Sequence, residues 1–212
     1  MKKGKLMIFT SYTPGAGKSY LMVTKAMEKC DEGLNVVIGF LNSRHREIDS
    51  LLKGNGISDF ESKKYSLKDI ISKSPDIVVM DEMGMYHINK DEKSFVYEDV
   101  EKLLEVGIDV YASTNLKKFE NLNPQYKKIT GIGVKKPIPD KYLDMAERIY
   151  FVDREPKLMI EDFESGSLFG ERYMKTKIMN KNFEYDTLCA YRDVSKKCLE
   201  KYSDKTIVVE RE

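Results

Sequence analysis

The sequence predicts an α/β protein: a mainly parallel sheet of about five strands with helices on both faces (P-loop NTPase-like), followed by a C-terminal helical segment. Three observations predict it. Short β-branched and apolar runs alternate with helical periodicity from Lys5 to Val152. The first run, Leu6–Phe9, opens into Pro14-Gly-Ala-Gly-Lys-Ser19 and then a helical pattern, a strand–loop–helix order. Another run, Ile77–Met80, ends in two adjacent carboxylates, Asp81 and Glu82.

Taken in order, Lys5–Thr10 reads as a buried first strand. Leu21, Met22, Ala26, Met27 and Cys30 recur at helical spacing, so a helix runs from Gly17 to about Asp31, with Gly33 past its end. Asn35–Leu41 is a second strand. A polar segment, Asn42–Arg46, leads to a short helix through Leu51 and Leu52, closed by Gly54–Gly56. Lys63–Ser66 reads as a short strand, and Ser66-Leu-Lys-Asp69 as a capping box opening a helix that Pro75 stops. After Asp76–Glu82 the spacing predicts a polar loop with His87, then a helix capped by Ser94 and closed by Gly107. Ile108–Ser113 is the next strand. Leu122–Tyr126 reads as a turn and short helix, Arg148–Val152 as a strand, and Pro156–Ser165 as a helix ended by Gly166. Ile129–Val134 has glycine spacing but no strand before and helix after, so it is rejected as a nucleotide loop. One or two helices follow to about Tyr202. The end, Thr206–Val209, reads either as a small strand or as a disordered tail. The expected division is a nucleotide-binding domain over 1–165, a helical extension packed on it over 166–202, and a tail over 203–212.

Lys plus Arg number 36 against 35 Asp plus Glu, which removes any global electrostatic case for nucleic acid or anionic membrane. Cys30, Cys189 and Cys198 suit neither a disulfide framework nor a C-x-x-C metal site. Leu6–Phe9 is too short for a signal peptide, and no apolar stretch is long enough to span a bilayer. A soluble, cytoplasmic protein is expected.

The residue types of the first motif suit phosphate binding. Gly15 and Gly17 let the backbone bend close to an anion. Backbone N–H groups in the loop Pro14-Gly15-Ala16-Gly17-Lys18-Ser19, together with the first helical turn, through Tyr20, point at it. Lys18 brings a mobile charge to the outer phosphates, and Ser19 a hydroxyl for Mg²⁺. This is a Walker A pattern with Tyr12 where a glycine is usual. Asp81 then reads as the Walker B ligand of Mg²⁺ and Glu82 as the base that polarises an attacking water. In a parallel sheet Asn115 ends beside the phosphates, where it contacts a phosphate or water or caps the following segment. ATP and Mg²⁺ are the expected cofactors.

Several stretches together resemble the N-terminal cytoplasmic domain of the KdpD sensor kinase family: Pro14–Tyr20, Gly33–Gly39, Val79–Glu82, Asp99–Tyr111, Thr114–Leu122 and Ile129–Asp140. The order holds from about residue 4 to 165 and more loosely to about 200. In that family position 12 is often not glycine. The resemblance implies a domain that binds ATP–Mg²⁺, works in potassium and osmotic signalling with slow or no hydrolysis, and reports to a protein partner such as a sensor kinase or potassium-transport regulator. The alternative is an active ATPase or a thymidine-kinase-like phosphotransferase acting on a small acceptor; the dispersed cysteines argue against the latter. The chain departs from the family at Asn42–Arg46, where an acidic residue and a glycine are missing, and at Met85–Val96, where a basic segment is nearly neutral. His45 and His87 lie in polar loops, so the chain is not itself a histidine kinase, and it is expected to be a stand-alone or truncated version of the domain.

Overall fold

The computed structural model describes residues 3–41, 46–52, 58–59, 65–88, 93–168 and 181–211. The elements, in order, are β1 (Leu6–Ser11), α1 (Lys18–Asp31), β2 (Val36–Phe40), α2 (Arg46–Leu52), β3 (Ser58–Asp59), α3 (Leu67–Ser72), β4 (Ile77–Met80), β5 (Tyr86–Ile88), β6 (Lys93–Phe95), α4 (Val96–Glu105) and β7 (Asp109–Asn115). A 3-10 turn (Leu116–Lys118) follows, then α5 (Asn123–Thr130), α6 (Lys141–Met145), β8 (Arg148–Arg154), α7 (Pro156–Glu164), α8 (Tyr185–Glu200) and β9 (Thr206–Arg211). No described helix is long and apolar enough to cross a membrane.

The chain forms two units: Met1–Phe9, Lys18–Thr114 and Met145–Ile149 make the first, and Thr10–Gly17, Asn115–Asp144 and Tyr150–Glu212 the second. In the first, strands run in the order β3-β2-β4-β7-β1, with Arg148 and Ile149 at the start of β8 next to β1, flanked by helices; the rest of β8 belongs to the second. β2 pairs in parallel with β3 and β4, and β4 in parallel with β7. Val110 N–H donates to Lys5 O at 2.9 Å, and Glu147 N–H to Leu6 O at 2.8 Å, which tie β7 and β8 to β1. The strands are apolar in continuous runs because both faces are covered: every residue of β2 and β4 is buried. In the second unit β9 lies beside β8, and α8 packs on α5 and α7.

The fold class is as expected, and of the strands read from sequence β1, β2, β4, β7 and β8 are present, with β9 where the end allowed either a strand or a tail. The differences are local. The loop expected after Glu82 contains an antiparallel pair, β5 with β6, His87 lying opposite Ser94. The expected Lys63–Ser66 strand falls partly outside the described residues; Tyr65 and Ser66 lie in no strand, and Tyr65 instead donates its phenol to buried Asp99 at 2.7 Å. Ser94 does not cap α4. Phe95 takes that position, its N–H bonding Glu98 Oε2 at 2.8 Å, while Ser94 Oγ lies 3.4 Å from Asp99. Ser66 does cap α3, accepting from Asp69 N–H at 3.3 Å. The segments 42–45, 53–57, 89–92 and 169–180, with the expectations placed on them, lie outside the described residues.

Candidate functional site

β1 ends at Ser11 and α1 begins at Lys18, so residues 12–17 are the whole connection between a buried strand and a helix. In the second unit this connection is tied down at both of its early residues. Ser11 Oγ donates to Thr13 O at 2.6 Å, closing a local turn. Tyr12 is fully buried, its phenol donating to Arg154 O at 2.5 Å, and its own carbonyl accepts from Tyr126 Oη at 3.3 Å. Burial pushes the Tyr12 phenol well above its ordinary pKa, with Arg192 opposing the shift, so it stays a neutral donor. Tyr12, the mismatch in the motif, is thus a core anchor.

Gly15 and Gly17 have φ of +86° and +97°, a region that L side chains rarely adopt. Neither has room for a Cβ. At Gly15 it would meet Leu168 Cδ2 at 2.8 Å; at Gly17 it would overlap the Arg211 guanidinium. Ala16 is buried, whereas Pro14 and Tyr20 are half-buried. Thr13 is 1 % exposed, and its Oγ1 makes no hydrogen bond among the described residues. Asn115 is buried, with Oδ1 3.4 Å from Ser11 Oγ; it stands at the start of the 3-10 turn but makes no capping bond with its side chain.

In the first unit the parallel register aligns strand ends. Phe40 pairs with Met80, Met80 with Ala112, and Asp81 N–H donates to Phe40 O at 2.8 Å. Asp81 and Ser113 therefore emerge side by side. Asp81 is fully buried, and its Oδ1 accepts from Ser19 Oγ at 2.9 Å and from Ser113 Oγ over a shorter distance. A buried carboxylate needs such partners. Glu82 follows in a left-handed backbone conformation, φ +52°. Its N–H lies 3.3 Å from Ser113 Oγ, and its carbonyl accepts from Met85 N–H at 2.7 Å. Lys18 Nζ stands 3.8 Å from Glu82 Oε1, both side chains largely buried.

Of the residues singled out in the sequence, Lys18, Ser19, Asp81 and Glu82 come together in the first unit; Pro14, Gly15, Ala16, Gly17 and Asn115 lie in the second, Gly17 joined directly to Lys18 by the chain. Sequence reasoning missed Ser113, which bonds Asp81; its position at the end of a strand was a usable signal.

The family model described as KdpD, osmosensitive K+ channel His kinase sensor domain, matches residues 2–202. The putative sensor protein KdpD of Synechocystis is 30% identical over 204 residues, 92% of this chain and 55% of that protein. The sensor protein KdpD of Clostridium acetobutylicum is 29% identical over 203 residues, 91% of this chain and 22% of that protein. That of Escherichia coli is 27% identical over 176 residues, 79% of this chain and 20% of that protein. The chain thus spans between a fifth and just over half of the length of these relatives.

Proposed function

This chain belongs to the KdpD sensor-domain family, and from that premise we propose that it binds Mg²⁺–ATP at the 14–19 loop and reports nucleotide occupancy to a protein partner in potassium-responsive signalling. The observation that carries the reading is the convergence of Lys18, Ser19, Asp81 and Glu82, from two chain segments far apart in sequence, at aligned strand ends. The donor set fits the metal. Ser19 Oγ and Asp81 Oδ1 are hard oxygen donors 2.9 Å apart, and Mg²⁺ is held by one or two carboxylates completed by phosphate oxygens and water. Among the described residues no group of three or more His, Cys, Asp or Glu forms an alternative cage. The positive-φ glycines let backbone approach a phosphate, and the buried Thr13 hydroxyl is a polar group suited to a polar ligand. Bound, Mg²⁺ would neutralise charge on the phosphates. Lys18 would exchange Glu82 for a phosphate oxygen, releasing the carboxylate to accept a proton from water. That exchange ties any turnover to full engagement of the loop, which favours slow hydrolysis and a reporting role.

The test is a paired assay of Mg²⁺–ATP binding and turnover. Lys18→Ala weakens binding at least tenfold, since it removes a charge-assisted contact. Glu82→Gln binds ATP and slows any hydrolysis, because the amide cannot take the proton. Equal ATP affinity in wild type and Lys18→Ala would falsify the site. Rapid multiple turnover with a small acceptor would replace the reporting role with a phosphotransferase.

A further inference from the structure

We propose that the lobe following α5 docks on an anionic lipid surface, with Lys127, Lys128 and Lys135 against the headgroups and Ile132 in the interfacial layer, independently of any nucleotide. The chain as a whole is close to neutral, so the charge is local: from Asn121 to Pro139 there are four lysines, no acid and no arginine. All lie in the second unit, and the fold gathers them. α5 is capped by Gly131, left-handed at φ +78°, whose N–H donates to Lys127 O at 2.7 Å. The chain then turns back to Asn123, the first residue of α5. Val134 N–H donates to Asn123 Oδ1 at 2.7 Å, and Asn123 Nδ2 donates to Val134 O at 2.9 Å. A Cβ added at Gly133 would stand 3.2 Å from Lys127 Cδ, so the returning chain runs beside that lysine. Ile138 N–H donates to Lys118 O at 2.7 Å and closes the lobe at its far end.

Lys127, Lys128 and Lys135 are exposed, and among the described residues their ammonium groups enter no ion pair; Lys136 has a contact of its own within the chain and is left out of the charge count. Ile132 is 44% exposed, and a Cβ added at Gly131 would meet nothing within 4 Å. The turn therefore carries an aliphatic side chain into open solvent with cations on either side. That combination suits a bilayer interface, where anionic headgroups attract the charge and the aliphatic carbons leave water. Residue type separates lipid from other acidic partners. Protein interfaces favour arginine and aromatic residues and are poor in lysine. The arginine fork reads a carboxylate or phosphate at a fixed position, whereas a lipid surface presents a diffuse negative field that a point charge on a flexible stem answers equally well. Single-stranded nucleic acid is held by stacking aromatics, yet Tyr126, the one aromatic residue from Asn121 to Pro139, is buried.

The experiment is cosedimentation of the full chain with vesicles of phosphatidylcholine alone and of an equal mixture with phosphatidylglycerol, at low and at physiological salt. The variants are the triple change Lys127→Gln, Lys128→Gln, Lys135→Gln and the single change Ile132→Ser, with melting temperatures as the folding control. Wild type is expected to pellet with the mixed vesicles and not with phosphatidylcholine, and less so as salt rises. Each lysine is worth about fivefold, so the triple variant should bind about a hundredfold more weakly, and Ile132→Ser about tenfold. Either variant, once folded, binding the mixed vesicles like wild type overturns the inference. So does a wild type that stays in solution with them or binds phosphatidylcholine equally. Polyglutamate and duplex DNA are the competing probes: tighter binding of wild type to either than to the mixed vesicles makes the partner an acidic macromolecule and overturns the lipid assignment.

Discussion

Glu82 carries a backbone cost that its neighbours impose. Ser74 and Glu82 are the non-glycine residues with positive φ among the described residues. The left-handed region costs an L-residue about 1–2 kcal/mol. At Glu82 that cost is enforced by Ser113 at its N–H and by Met85 at its carbonyl, and it turns the chain directly after β4 so that the carboxylate reaches Lys18. Strain at a candidate catalytic position is itself a reason to assign it a role. Two variants separate strain from charge. Glu82→Ala and Glu82→Gly both lose the carboxylate, but only the glycine relieves the backbone. Glu82→Gly is therefore expected to be about 1 kcal/mol more stable than Glu82→Ala in urea denaturation. Equal stabilities, or a less stable glycine variant, would show that the turn is not strained.

At the scale of elements, α8 is held to β8 by ions and to α5 by a phenol. Arg192 grips Asp153 with both arms of its fork, Nε at 2.6 Å and Nη2 at 3.0 Å, and Lys196 adds a third contact at 2.7 Å. From α5, the Tyr126 hydroxyl sits 3.2 Å from Tyr191 O and 2.5 Å from Ser195 Oγ, as well as reaching the Tyr12 carbonyl. One hydroxyl thus links α8 to the start of the loop, all within the second unit. Burial alone would raise the Asp153 carboxyl, but hydrogen bonds from Arg192 and Lys196 outweigh it and hold the group below its ordinary value. The native state then binds fewer protons than the unfolded chain, so stability from Asp153 is complete above the ordinary carboxylate pKa of about 3.9 and is lost as pH falls through the lower native value. Asp153→Asn should destabilise the protein at pH 7, and the wild-type advantage should shrink as pH falls below about 4. Melting temperatures of the two proteins between pH 7 and 2.5 measure it; a gap that stays constant would show that Asp153 acts through shape and not charge.

Across the whole molecule, legibility followed element length and burial. β1, β2, β4, β7 and β8 are apolar runs that any periodicity count finds, and together they gave the fold class. β3 has two residues and β5 and β6 three each, too few for an alternation to register. β9 is exposed and charged, so its order depends on pairing with β8 and not on its own pattern. The site divides the same way. Lys18, Ser19, Asp81 and Glu82 were legible because each lies in a contiguous motif. Ser113 reaches Asp81 across 32 positions: that it ends a strand is visible in the sequence, but that this strand lies beside β4 is set by the folded register. The role of Tyr12 was hidden because a motif records the backbone need for glycine and not the depth to which a side chain can be buried.

A ligand engaging this loop should therefore stabilise the chain as a whole. Binding at a hundred times its dissociation constant adds about 2.7 kcal/mol. At about 2–4 °C per kcal/mol for a chain of this size, the melting temperature should rise by about 5–10 °C. The chemistry of the site orders the ligands. Mg²⁺–ATP should give the largest shift, because on the proposed reading Lys18, Ser19 and Asp81 would address outer phosphates and their metal. Adenosine, which has no phosphate, should give almost none, and Lys18→Ala should lose most of the ATP shift while its own baseline stays near wild type. Scanning calorimetry at matched saturation makes the comparison. Equal shifts from ATP and adenosine would mean that recognition rests on the base, and residues 14–19 would then be a structural turn and not a phosphate loop.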